Sequence, residues 1–322
     1  MPSATALDIS RPRVLIVFPG ALGDLICFLP AMRALARRHP EAAVELMARG
    51  ELARFAAGRL GVERGHAIDR PEVSLLFGEA EDAAARASRF FGGFARVYSF
   101  FGAENATFRR VMANACAGPV SFHPFRPIIH DESGGHVSSA YLRSLDEAER
   151  AEPSGARVTL GAEDLEAARQ ILARCRIEPG NFILLMPGSG SRTKNWPAEK
   201  FAELGRLLPP HRPAAIILGP AEAELSGFFL EQRFPVLQNL ELGEAAAVAR
   251  MASSFVGNDS GMSHLAAAVG TPGVVLFGPT DPARWRPLGE IKVIARTPID
   301  DITSAEVASA VKDLEAIPHH RG

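Results

Sequence analysis

Several residue types and motifs are scarce in this 322-residue chain, which has 3 cysteines, 2 tryptophans and only 4 lysines among its 35 basic residues. Three widely spaced cysteines form neither a disulfide framework nor a zinc site, so a reducing compartment, the cytoplasm, is expected. No apolar run reaches the length of a transmembrane helix. A net charge of −2 argues against nucleic acid as a partner.

Three ligand-binding signatures are also missing. The glycine spacing GxGxxG of a dinucleotide site does not occur, nor does the GxxxxGK[ST] spacing of a phosphate-binding P-loop. The first absence makes an NAD-dependent oxidoreductase the weakest candidate. No Asp-x-Asp pair occurs either, so a divalent ion holding a diphosphate is not indicated. The expectation is a protein with no cofactor and no bound metal.

The remaining composition, 47% hydrophobic and 22% charged, is typical of a soluble globular protein, and the length favours two domains. Short β-rich runs, one of them at Val73–Phe77, alternate with helical patterns, which is typical of parallel α/β architecture. We predict two Rossmann-like, doubly wound parallel-sheet domains facing a central cleft, residues 1–155 and 156–322. The last helix, about 303–316, is expected to pack back on the N-terminal domain.

A Gly-Asp motif, Pro19–Asp24, follows the first predicted strand and opens a helix. Gly20 and Gly23 let the backbone come close to a ligand or to a neighbouring element. The carboxylate of Asp24 has two interpretations. It caps the helix, where the dipole favours a negative charge, or it is a general base at the carboxyl edge of the sheet.

A lysine loop, Pro187–Pro197, joins a later strand to the next helix. The hydroxyls of Ser189 and Ser191 and the mobile charge of Lys194 suit anionic oxygens, although a solvated loop is the alternative. Glu222 ends another strand, and its carboxylate either accepts hydrogen bonds from ribose hydroxyls or favours the start of the next helix.

The most informative segment, Gly257–Pro282, contains a strand end, a polar turn, a helix and a second strand and turn. The turn with Asp259, Ser260 and Gly261 places free backbone N–H groups and a helix dipole at one point, which suits a phosphate or diphosphate. An ordinary helix cap is the alternative. Two further donor-site candidates, Met262 and His264, follow in the helix, and His264 is equally open to a structural role.

With these motifs the chain resembles glycosyltransferase family 9, the bacterial heptosyltransferases. The similar segments are GALGDLICFLPAMRAL, PGSGSRTKNWPAEKFAEL and GNDSGMSHLAAAVGTPGVVLFGPTDP. The resemblance implies a GT-B fold with an N-terminal acceptor domain and a C-terminal donor domain. It also implies transfer of heptose from ADP-heptose to the lipopolysaccharide inner core by a metal-independent, inverting displacement.

Carried over residue by residue, the resemblance makes Asp24 the catalytic base and places Lys194 on the donor phosphates. The other implied donor contacts are Glu222 on the ribose, Leu240 on the adenine, and Ser260 with Gly261, beside Asp259, as the phosphate-binding turn.

The partners expected are a nucleotide sugar and a lipid-linked or oligosaccharide acceptor. This protein is expected to meet the acceptor as a peripheral protein at the inner face of the bacterial inner membrane. Gly20, Gly23, Arg49 and Arg54 are the candidates for the acceptor site. The two arginines would bind an anionic acceptor, and a solvated helix face explains them equally well. Two alternative functions stay open: a nucleotide-sugar epimerase or phosphorylase of the same architecture, and a non-catalytic nucleotide-sugar-binding protein.

Overall fold

The computed structural model describes residues 11–127, 135–145 and 156–315. A first, five-stranded parallel sheet has the strand order β3-β2-β1-β4-β5. Its strands are β1 (Arg13–Val17), β2 (Ala43–Ala48), β3 (Arg64–Ala67), β4 (Arg96–Ser99) and β5 (Val120–Phe122). The helices of this half are α1 (Leu22–Arg38), α2 (Gly50–Ala56), α3 (Pro71–Leu75), α4 (Ala83–Phe91), α5 (Ala106–Ala115) and α6 (Val137–Arg143).

A second, six-stranded parallel sheet has the order β11-β10-β9-β6-β7-β8. Its strands are β6 (Ile183–Met186), β7 (Ala214–Leu218), β8 (Val236–Gln238), β9 (Ser254–Asn258), β10 (Gly273–Phe277) and β11 (Ile291–Ala295). The helices are α7 (Ala162–Arg174), α8 (Ala198–Leu207), α9 (Leu225–Glu231), α10 (Leu242–Met251), α11 (Gly261–Ala268), α12 (Pro282–Trp285) and α13 (Ser304–Glu315).

Both sheets follow the Rossmann pattern, in which the strand order reverses between the first and fourth strands of the domain. The reversal lies between β1 and β4 in the first sheet and between β6 and β9 in the second. The prediction of two doubly wound parallel-sheet domains is confirmed. Among the helices of the described ranges, none is long and apolar enough to cross a membrane.

The four inner strands of the second sheet, β10, β9, β6 and β7, are buried on both faces. Successive side chains of a strand point to opposite faces, and Leu184 and Leu185 are both fully buried. Leu185 belongs to the core that includes Phe201 of α8 and Val311 of α13. Helices α7 and α10, which are not part of that core, pack against each other. This explains why the strands of this half read as continuous apolar runs.

By packing, the described chain divides into two compact units. The first contains residues 11–20, 31–127 and 141–145, and the second contains 21–30, 135–140 and 156–315. This differs from the predicted division after residue 155, because 21–30 and 135–140 pack with the second unit. The last helix, α13, packs on α8 and on β9, β10 and β11 within the second unit, and its expected return to the N-terminal domain stays a prediction.

The predicted strand at Val73–Phe77 is wrong, since most of it belongs to helix α3. Pro71 occupies the first turn of that helix and Glu72 follows it, both of which favour a helix start over a strand. Conversely, β3 has no apolar run. A Cβ on its Gly65 would lie 1.7 Å from the carbonyl oxygen of Ala53, so close packing against α2 requires glycine there.

One buried carboxylate lies within the first sheet. Glu45 of β2 is 1% exposed, with Arg13 Nε 2.7 Å and His66 Nε2 2.5 Å from its oxygens. Burial alone would raise the pKa of Glu45, but the hydrogen bonds from His66 and Arg13 outweigh it and lower the pKa to about 2. The carboxylate is therefore ionised. Its hydrogen bonds link β2 to β1, through Arg13, and to β3, through His66.

Candidate functional site

Three loops meet at the carboxyl edge of the second sheet, where β6, β9 and β10 are neighbours. Asp259, directly after β9, accepts hydrogen bonds on the same oxygen, Oδ2, from Lys194 Nζ at 2.7 Å and from Thr280 Oγ1 at 2.6 Å. Asp259 is 7% exposed and Lys194 is 29% exposed. The ammonium group thus lies at the surface of the sheet edge, anchored by a buried carboxylate at the reversal point where such sheets bind ligands.

The lysine loop is fastened to the sheet by Asn258, the last residue of β9. Asn258 Nδ2 donates to the carbonyl oxygen of Pro187 at 2.7 Å, and its Oδ1 accepts from the backbone N–H of Trp196 at 3.1 Å. The indole Nε1 of the fully buried Trp196 donates to the carbonyl of Ile302 at 3.0 Å. Both ends of the loop that carries Lys194 are therefore held in place.

Helix α11 begins in the polar turn after β9. Ser260 is its N-cap, and Ser260 Oγ accepts from the backbone N–H of Ser263 at 3.3 Å. Ser263 Oγ in turn donates to the carbonyl of Asn258 at 2.6 Å. The capping interpretation of this turn is therefore correct. It coexists with an anion site, because the first turn still directs the N–H groups of Gly261 and Met262 outward along the helix dipole.

The start of α1 packs against this turn within the second unit. A Cβ built on Gly261 would lie 3.0 Å from the backbone nitrogen of Gly23, and one on Gly23 would lie 3.4 Å from Gly261 Cα. Asp24, in the first turn of α1, accepts a hydrogen bond on Oδ2 from the backbone N–H of Ala21 at 3.3 Å. Two helix N-termini and the half-buried carboxylate of Asp24 are therefore brought together.

The hydroxyls of the lysine loop are engaged within the loop itself. Ser189 Oγ donates to the carbonyl of Ser191 at 2.7 Å, and Ser191 Oγ lies 2.9 Å from Thr193 Oγ1. Glu222 folds over the same loop, since a Cβ on Gly188 would lie 2.4 Å from the Glu222 carboxyl carbon. Burial raises the pKa of Glu222, and backbone hydrogen bonds from residues that include Ser189 oppose this. The structure thus brings Glu222 to the lysine loop.

His264 lies in α11 and is 4% exposed. Its Nδ1 is 3.5 Å from Cys27 Sγ of α1. Burial lowers the pKa of His264 to about 4, in spite of the opposing charge of Asp259, so the ring is neutral at physiological pH. Met262 is half-buried at the helix start. Leu240 follows β8, separated from β9 by β6 and β7, so its assignment to the adenine stays a prediction.

The acceptor candidates lie at the carboxyl edge of the first sheet. Arg49, which directly follows β2, donates from Nε to the carbonyl of Pro19 at 3.2 Å, beside the buried Gly20. Arg54 of α2 is exposed, and its Nη1 lies 3.8 Å from the place of a Gly50 Cβ. Both guanidinium groups therefore lie near the start of α2, at the carboxyl edge of the sheet. Parallel sheets bind ligands at this edge.

Sequence reasoning overlooked Asn258, Thr280 and Cys27. Asn258 and Thr280 lie in polar turns at neighbouring strand ends, and this signal was available, since carboxyl ends of parallel strands meet at one edge. Cys27 and His264 are 237 positions apart in the sequence, so no local sequence pattern predicts their contact.

The comparisons with known proteins agree with this architecture. A family model described as glycosyltransferase family 9 (heptosyltransferase) matches residues 146–312. The lipopolysaccharide heptosyltransferase 1 of Escherichia coli K12 is 25% identical over 158 residues, which are 48% of this chain and 50% of that protein. The matched part of this chain thus spans about half the length of that relative.

Solved structures match over nearly the whole chain. A family 9 glycosyl transferase from Veillonella parvula has a TM-score of 0.77 at 20% identity, covering 94% of this chain and 97% of its own. The E. coli heptosyltransferase WaaC, solved with ADP, has a TM-score of 0.66 at 20% identity, and the match covers 94% of this chain and 99% of WaaC. These matches confirm the GT-B fold. With a family model that covers more than half of its residues, the chain belongs to glycosyltransferase family 9.

Proposed function

We propose that this protein transfers heptose from ADP-heptose to a lipopolysaccharide inner-core acceptor, or to a related glycan. One observation carries the proposal: the cationic Lys194, held by Asp259, and the N-termini of α1 and α11 meet at the reversal point of the second sheet. Positive charge and N–H donors at such a point suit the diphosphate of a nucleotide sugar.

The donor is proposed to bind with its diphosphate between Lys194 and the N–H groups of Gly261 and Met262. The carboxylate of Glu222, already on the lysine loop, is assigned to the ribose hydroxyls, and Leu240 to the adenine. Ser189 and Ser191 shape the loop that presents the lysine. The ADP in the structure of the E. coli relative supports an adenine nucleotide as the donor.

In the proposed reaction, Asp24 takes the proton of an acceptor hydroxyl while that oxygen forms a bond to the anomeric carbon of the heptose. The bond between the anomeric carbon and the phosphate oxygen breaks, and its electron pair leaves with ADP. Lys194 and the start of α11 stabilise the negative charge that develops there. Attack opposite to the leaving group inverts the anomeric centre. Because these groups supply the positive charge, the proposal includes neither a metal ion nor a cofactor.

The acceptor is proposed to be an anionic, lipid-linked or oligosaccharide glycan. Arg49 and Arg54 offer two guanidinium groups at the edge of the first sheet, and guanidinium pairs well with phosphate and carboxylate. Such an acceptor would place the protein on the cytoplasmic face of the inner membrane as a peripheral enzyme.

The test is a transfer assay with purified protein, ADP-heptose and heptose-free inner-core lipopolysaccharide. We expect ADP release that requires the acceptor, together with an acceptor product one heptose heavier by mass spectrometry. Consumption of ADP-heptose without acceptor would instead identify an epimerase or phosphorylase. Tight ADP-heptose binding without turnover on a panel of acceptors would identify a non-catalytic binding protein.

A further inference from the structure

A second contact joins α1 to α11, one turn beyond the close approach of Gly23 to Gly261. Cys27 and His264 are both buried, with Sγ 3.5 Å from Nδ1, a distance within reach of a hydrogen bond that involves sulfur. Both residues belong to the second unit. The close approach at the glycines involves backbone and the side chain of Leu22, so the Cys27–His264 pair adds a polar side-chain link between the two helices.

The protonation states of the pair follow from its surroundings. Burial, and then the negative charges of Asp24 and Asp259, raise the pKa of the Cys27 thiol, so it remains a thiol and not a nucleophilic thiolate. The imidazole of His264 is neutral, as shown above, and carries one proton. The pair is therefore a neutral thiol beside a neutral ring.

The direction of the hydrogen bond is set by the other partner of the ring. His264 also forms a hydrogen bond with the backbone of Trp285. The N–H of Trp285 already donates to the carbonyl of Asp281, so the partner is the carbonyl oxygen, which only accepts. We assign the ring proton to Nε2, the nitrogen that does not face Cys27, so that Nδ1 accepts from the Cys27 thiol.

We infer that Cys27 is a positioning residue, which acts through His264 to hold the first turn of α1 against the start of α11. Asp24 lies one helical turn before Cys27, and Ser260 one turn before His264. The thiol-to-imidazole hydrogen bond thus sets the distance between the proposed base and the proposed phosphate turn. This inference rests on the proposed function.

The deciding experiment compares Cys27→Ala, which removes the donor, with Cys27→Ser, which keeps a donor for Nδ1. A misplacement of about 1 Å at a reacting group can cost on the order of a hundredfold in rate. We expect Cys27→Ala to lower kcat by about tenfold or more, with KM for ADP-heptose changed by less than about twofold, because the donor contacts remain. Cys27→Ser should recover most of the loss, and Cys175→Ala, which changes a cysteine outside this contact, should match the wild type.

Hydrogen exchange without substrate supplies a readout that does not depend on turnover. In Cys27→Ala, amides of residues 25–29 and 264–267 should exchange faster, while those of α7 and α10 keep the wild-type rate. Cys27→Val, which fills the site of the thiol with a slightly larger side chain and has no donor, replaces the alanine variant if that one does not fold. Should the wild type transfer no heptose, the proposed function fails, yet faster exchange in Cys27→Ala with recovery in Cys27→Ser still supports the link. Wild-type exchange or wild-type kcat in Cys27→Ala, or equal losses in Cys27→Ala and Cys27→Ser, overturns the inference.

Discussion

Lys194 Nζ lies 2.7 Å from Asp259 Oδ2, so the cation proposed for the donor phosphates is held by a carboxylate that is itself 7% exposed. A buried aspartate beside a phosphate site would repel the ligand by itself. Paired with the ammonium group and with Thr280, it serves instead to orient the lysine, because both donors share one oxygen. The pair therefore presents one ammonium group in a defined position.

Lys194→Ala should weaken ADP binding. Hydrogen bonds to charged groups contribute about 1.5–3 kcal/mol, so an increase in Kd of about ten- to a hundredfold is expected. Isothermal titration calorimetry with ADP measures it. Lys312→Ala, an exposed lysine of α13, is the matched control and should bind as the wild type does. An unchanged Kd in Lys194→Ala would remove the lysine from the phosphate site.

Thr280→Val should weaken ADP binding to a smaller degree than Lys194→Ala. The valine keeps the shape of threonine but removes the donor to Asp259, so the carboxylate loses one of its two constraints. A typical hydrogen bond contributes a net of about 0.5–1.5 kcal/mol, which corresponds to a rise in Kd of about two- to tenfold. Thr280→Ser keeps the hydroxyl and should bind nearly as the wild type does. Equal Kd values for the valine and serine variants would contradict this orienting role.

Gly261→Ala should separate the two helix N-termini. Its Cβ would lie 3.0 Å from both the Gly23 nitrogen and Leu22 Cβ, and one of these contacts is backbone, which cannot rotate away. Overpacking of this kind costs about 1–3 kcal/mol of unfolding free energy, and the displacement should also reduce turnover. Gly227→Ala in α9 has no atom within 4 Å of its Cβ, so as the control it should be neutral or stabilising by about 0.5–1 kcal/mol. Denaturant unfolding measures the stability of both variants, and equal stabilities would contradict the close approach of Gly261 to Gly23.

Asp24→Asn should abolish transfer while leaving the fold intact. The amide oxygen can still accept the hydrogen bond from the Ala21 N–H, so the start of α1 is preserved, but the amide cannot take a proton. General-base catalysis contributes about 10²–10⁴ in rate, which is the expected loss in kcat. The Kd for ADP should change by less than about threefold. Turnover at the wild-type rate would show that Asp24 is only a helix cap.

The buried Glu45 predicts an acid-sensitive contribution to stability. Its pKa falls from 4.5 to about 2 on folding, so the stabilisation is complete above about pH 4.5 and is lost as the pH falls through 2. At pH 7, Glu45→Gln should cost about 2–4 kcal/mol. Urea unfolding between pH 7 and pH 3 should show the two proteins converging as the pH falls. A constant difference across that range would contradict the depressed pKa of Glu45.

The local sequence was sufficient for most elements of the second unit and for the positions of the three polar turns of the candidate site. Continuous apolar runs indicated β6, β7 and β10, since a parallel sheet buried on both faces leaves no alternation. Prediction failed for two different reasons. Segment β3 is a strand because it pairs with β2, which no local pattern predicts. The run Val73–Phe77 looked β-rich, but the local helix-start signals of Pro71 and Glu72, just before it, favour α3.

The sequence by itself determined the residue types of the site: a lysine in a glycine-serine loop, a carboxylate at the start of α1, and a polar turn before α11. Their spacing within each motif is local and can be read along the chain. Only the tertiary structure decided which groups meet, that Asp259 orients Lys194, that Gly23 lies against Gly261, and that Cys27 reaches His264. These contacts join elements far apart in the chain, and they arise from the packing of helices and sheet edges, which no local pattern encodes.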